Sequence, residues 1–74
     1  MQIQLLSCDA ARPDRRAITK TIETYGEGMD TSLARELTDI LLDGSSVEIE
    51  VGSKTMSSAF RALRKYGIDY EIMD

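Results

Sequence analysis

Two segments of the chain, Val47-Glu48-Ile49-Glu50-Val51 and Ile68-Asp69-Tyr70-Glu71-Ile72, alternate strictly between apolar and acidic residues. A period of two marks a β-strand with one face buried and the other in water. The segments are joined by one run with helical spacing, Met56, Ala59, Phe60 and Leu63. Two strands connected through a single helix run parallel, with a right-handed crossover, whereas alternation of this kind suits antiparallel neighbours. A third strand slotted between them meets both demands. Residues 2–6, Gln-Ile-Gln-Leu-Leu, supply it, with Ile3 and Leu5 on one face and Gln2 and Gln4 on the other.

Two further helices fill the space between the first and second strands. Pro13 suits a first helical turn, where its missing N–H costs nothing, and Ala17, Ile18, Thr21, Ile22 and Tyr25 follow with helical spacing up to Gly26 and Gly28. Asp30 is a natural N-cap for the next helix, in which Leu33, Leu37, Ile40 and Leu41 form an i, i+4, i+7, i+8 stripe before Gly44. Ser53 or Thr55 caps the third, and Gly67 stops it. The expected fold is α+β, a two-layer β-α-α-β-α-β sandwich. Its three-stranded antiparallel sheet has the N-terminal strand in the centre and three helices on one face. The predicted core is Ile3, Leu5, Ile18, Ile22, Leu37, Leu41, Val47, Ile49, Phe60, Leu63, Ile68 and Ile72.

Residues 1–74 read as one continuous domain without repeat or linker. A chain of this size buries roughly 60% of the surface that its unfolded form exposes, which leaves little room for a deep, dry cleft. The N-terminus lacks the basic start and apolar run of a signal peptide, and Cys8 is the lone cysteine. Both point to a cytoplasmic protein without membrane association. A net charge of −4 argues against direct nucleic-acid binding. The absence of histidine removes the usual zinc ligand sets and the Ser-His and Cys-His nucleophile pairs. No enzyme activity, metal or cofactor is expected.

Gly52-Ser53-Lys54-Thr55, between a strand and a helix, has the outline of a phosphate-binding loop. Such a loop requires a glycine directly before its lysine, so that successive backbone N–H groups wrap the phosphates, and Ser53 stands in that place. The segment is read as a strand end followed by a helix cap. Cys8, next to Asp9 and without a base, reads as an ordinary loop cysteine.

The charges fall into two groups. Glu48, Glu50, Asp69 and Glu71 share the open face of the sheet, where no cleft raises a carboxyl pKa, so they read as a solvated acidic face. Arg12, Arg16 and Lys20 recur at i, i+4, i+8 on the first helix, and Arg35 lies on the second. Arg61, Arg64 and Lys65 follow on the third.

"SLARELTDIL" (32–41) and "SSAFRALRKYGIDYEI" (57–72), in this order of elements, resemble the C-terminal domain of the bacterial ribosomal stalk protein. The same core is similar to that of the Clp-protease adaptor for N-degrons, whose opening strand resembles "IQLLSCD". The resemblance implies an adaptor-type fold without catalysis. Lys20 and Arg35 match positions with which the stalk family meets its factors, and Asp9 matches one ligand-gripping position of the Clp adaptor. The expected function is non-enzymatic protein–protein interaction, with Arg12, Arg16, Lys20 and Arg35 docking a larger protein partner. The alternative is a small inhibitor of phage or mobile-element type, mimicking nucleic acid through Glu48, Glu50, Asp69 and Glu71. The protein is expected to be a monomer or weak dimer.

Overall fold

The computed structural model describes residues 1–73. The elements are β1 (Gln2–Cys8), α1 (Arg15–Tyr25), α2 (Thr31–Leu42), β2 (Val47–Glu50), α3 (Met56–Lys65) and β3 (Ile68–Ile72). The sheet order is β2-β1-β3, with both pairings antiparallel, so the N-terminal strand is central as its alternation requires. α1 packs between α2 and α3, α2 lies over β1 and β2, and α3 lies along β3.

The register carries the two faces through the sheet. Ile3 stands opposite Ile49 and Ile72, and Leu5 opposite Val47 and Tyr70, on the helical side. Gln4 stands between Glu48 and Glu71 on the open side. β1 is longer than residues 2–6 because its register with β3 shifts between Leu5 and Ser7. The consecutive Leu5 and Leu6 break the alternation, and a bulge absorbs the extra residue. Ser7 then pairs with Asp69 and Cys8 with Ile68. Cys8 is therefore a half-buried strand residue, its Sγ 3.5 Å from the Tyr66 carbonyl, and not a loop cysteine.

Helix ends follow local chemistry. The Asp14 carboxylate accepts from Ala17 N–H at 3.0 Å, so α1 starts at Arg15, two residues beyond Pro13. Asp30 caps α2 by accepting from Leu33 N–H at 2.7 Å. Beyond α2, Gly44 N–H bonds to the Leu41 carbonyl and Ser45 N–H to the Ile40 carbonyl. This paired closure demands the left-handed φ of +104° that Gly44 adopts. Thr55 holds the N-cap position of α3 but makes no capping bond, its hydroxyl donating to the Gly52 carbonyl instead.

The core contains Ile3, Leu5, Ile18, Ile22, Leu41, Val47, Ile49, Leu63 and Ile68 as expected, together with Ala34, Val51 and Ala59. Three expected members differ. Ile72 is 46% exposed at the end of β3, and Leu37 and Phe60 are half-buried. Phe60 stacks on Tyr70, ring centroids 4.7 Å apart, at the margin of the helical layer. On α2 the buried stripe is Ala34, Thr38 and Leu41, with Leu33 and Ile40 outside. The helix serves two neighbours, the sheet and α1, and its small residues Ala34 and Thr38 allow close approach between them. The buried Thr38 hydroxyl is satisfied by donating to the Ala34 carbonyl at 2.8 Å and accepting from Thr19 at 3.0 Å.

Candidate functional site

α1 and α2 leave a cleft of about 480 Å³ on the outer side of the helical layer. From α1 it is lined by Arg15, Arg16, Thr19, Lys20 and Glu23, and from α2 by Thr31, Arg35 and Asp39. The residues of α2 recur every four positions, so they line one face of the helix toward α1. Arg15 and Asp39 form an ion pair across the cleft, and Thr31 donates to Glu23 near its other end. These two exposed contacts bridge the rim of the cleft, and the first gives Arg15 a carboxylate partner, while packing between the helices sets their relative position. The Arg15–Asp39 contact is the one ion pair among the described residues, which leaves Arg16, Lys20 and Arg35 as exposed cations without a carboxylate partner.

The structure thus brings together three of the four basic residues singled out in the sequence. Arg12 does not join them. It precedes Asp14, the cap of α1, so it is outside the helix, and the i, i+4, i+8 spacing with Arg16 and Lys20 does not operate. Lys65, grouped in the sequence with the basic residues of the third helix but not among the four named for docking, lies next to Arg16 and Lys20. A second cleft of about 480 Å³, between α1 and α3, is lined by Arg16, Lys20, Tyr25, Lys65 and Tyr66 among others. The Lys65 ammonium lies 5.6 Å from the centre of the Tyr66 ring. Arg16 and Lys20 therefore stand on a ridge shared by both clefts. No sequence spacing reports Lys65, because its proximity to α1 is set by packing across the layer.

The acidic residues share the opposite face, as the alternation predicts. Glu48 and Glu71 flank Gln4, Glu50 is opposite Gln2, and Asp69 is opposite Ser7. All four are exposed, and each has a neutral partner on β1. Asp9, at the end of β1, meets Asp69. A hydrogen bond shared with the Asp69 carboxyl, then repulsion between the two, holds the Asp9 carboxyl above its ordinary pKa.

At the Gly52–Thr55 turn, a Cβ placed on Gly52 would lie 2.8 Å from Glu27 Oε1. A carboxylate thus rests against the turn where a phosphate would have to approach, and the charge of Lys54 is opposed there. Among the described residues no three His, Cys, Asp or Glu side chains converge as metal ligands, and no helix is long and apolar enough to cross a membrane.

Comparison with protein-family models, curated proteins and solved structures found no match to this chain.

Proposed function

We propose that the protein is a non-enzymatic interaction module of adaptor type, which docks an acidic segment of a larger protein in the cleft between α1 and α2. The observation that carries this reading is the convergence of Arg16, Lys20 and Arg35, unpaired, on one groove between two packed helices. Unpaired cations gathered on one groove attract carboxylates at long range and orient them on contact. Arginine adds bidentate geometry to that attraction. The resemblance to the ribosomal stalk C-terminal domain and the Clp adaptor supports the same class, since those modules work by presenting a surface. A second reading, occupation of a basic nucleic-acid-binding groove by the sheet, is favoured by the row formed by Glu48, Gln4 and Glu71.

Affinity capture from the native host with quantitative mass spectrometry tests both readings. Arg16→Glu/Lys20→Glu is expected to lose the partner that the parent captures, with slower association and a flatter salt dependence. Glu48→Lys/Glu50→Lys is expected to retain it. The reverse outcome assigns recognition to the acidic sheet and overturns the proposal.

A further inference from the structure

The chain treats the two edges of its sheet differently. At β2, Glu27 N–H donates to the Glu50 carbonyl at 2.7 Å and Gly26 bridges Val51, so the connection between α1 and α2 closes the end of that edge. β3 has no such cover among the described residues. Asp9 N–H bonds to the Gly67 carbonyl at 2.8 Å, and Met73 N–H to the Gln2 carbonyl at 2.9 Å. Along an antiparallel ladder alternate residues turn their polar groups to the same side, so Gly67, Asp69, Glu71 and Met73 face β1. Ile68, Tyr70 and Ile72 turn theirs outward, where the sheet has no further strand. Natural sheets guard such an edge with charged side chains, proline or covering loops, and on residues 68–72 the guard consists of the carboxylates of Asp69 and Glu71 alone, which deter an acidic strand but not a basic one.

The side chains along this edge define what it accepts. On the helical side are Tyr70, stacked on Phe60, and Ile72, which is 46% exposed. On the open side are the exposed carboxylates of Asp69 and Glu71. A second copy pairing through its own β3 would set four of these carboxylates together, and like charges opposite one another destabilise a strand pair. A strand that alternates apolar residues with Lys or Arg does the opposite. Its apolar side chains extend the Tyr70–Ile72 surface while its cations cover Asp69 and Glu71.

We infer that the β3 edge is a docking site for an extended segment of another protein, alternating apolar with basic residues, which adds to the sheet as a fourth strand. The site shares no residue with the α1–α2 cleft and is independent of the function proposed for it.

The test uses three short peptides: alternating Val and Lys, alternating Val and Glu, and the Val-Lys peptide with every backbone amide N-methylated. Binding is followed by NMR, with hydrogen exchange read at the amides of Ile68, Tyr70 and Ile72. The Val-Lys peptide is expected to slow exchange at these three amides by roughly tenfold or more at saturation. The Val-Glu and N-methylated peptides are expected not to do so. Asp69→Lys/Glu71→Lys should weaken Val-Lys binding by about tenfold, and Arg16→Glu/Lys20→Glu should leave it unchanged. Equal binding by the N-methylated peptide would reduce the effect to charge alone and overturn the proposal. Unchanged exchange at the three amides would do the same, and needs no variant to fold. A dimer of the free protein with these amides already protected would assign the edge to a second copy instead.

Discussion

Leu63 and Phe60 lie one helical turn apart on α3 and meet different surroundings. Leu63 is almost wholly buried, whereas Phe60 keeps part of its ring in water and stacks on Tyr70. Leu63→Ala is therefore expected to cost about 3 kcal/mol, within the range for a fully buried leucine. Phe60→Ala should cost less than Leu63→Ala, despite removing more atoms, because part of its surface never leaves water. Urea denaturation of both variants at one pH orders them. Helical spacing reveals that both residues face inward, but depth depends on where the layer ends, and that is a property of the assembled sheet. Ile72 illustrates the same limit: its alternation with Glu71 is correct, yet at the end of β3 it remains 46% exposed.

Asp9 also acts at the scale of one residue. Its pKa is raised in the folded protein, through the hydrogen bond and repulsion with Asp69, so folding favours its protonated form. The resulting stability is fully present below the ordinary carboxylate range and is lost as pH rises through the raised value. Asp9→Asn is expected to be more stable than the parent at neutral pH and to lose that advantage on acidification. Parallel denaturation curves across the acid range check this, and an advantage independent of pH would contradict it. The Asp9–Asp69 contact crosses most of the chain and arises from the bulge after Leu5, so no local signal announces it.

Among the elements, the helix caps separate by mechanism. Asp30 accepts a hydrogen bond from Leu33 N–H, whereas the Thr55 hydroxyl is turned to the Gly52 carbonyl. Asp30→Ala is expected to destabilise the fold by about 1 kcal/mol, and Thr55→Ala by only a few tenths. Equal losses in thermal or urea unfolding would show that Thr55 caps α3 in solution. All six elements are legible in the sequence, since strand alternation, Asp30, Gly44 and Gly67 each act within a few residues. The rotation of α2 is not. An apolar stripe of Leu33, Leu37, Ile40 and Leu41 suggests one buried face. The structure instead buries Ala34 and Thr38, because contact with two neighbours rewards small side chains over large ones. The same rotation turns Thr31, Arg35 and Asp39 toward α1 and so builds one wall of the cleft.

Across the whole molecule, the open side of the sheet carries only carboxylates as charged groups, Glu48, Glu50, Asp69 and Glu71, whereas the helical side carries Arg16, Lys20, Arg35 and Lys65 beside acidic residues such as Glu23 and Asp39. A net charge of −4 conceals this polarity, and the grouping becomes visible only when residues are assigned to elements. Part of the candidate site was thereby legible, namely Arg16, Lys20 and Arg35. The exclusion of Arg12 and the addition of Lys65 depend on where α1 begins and how α3 packs. The proposed recognition of acidic segments by the α1–α2 cleft is tested by chemical-shift mapping with a short Glu-rich peptide at low and high salt. Shifts centred on Arg16, Lys20, Thr31 and Arg35, fading with salt and absent in Arg16→Glu/Lys20→Glu, are the predicted result. No shift at these residues, or a response scattered over the surface that survives the double substitution, would contradict it.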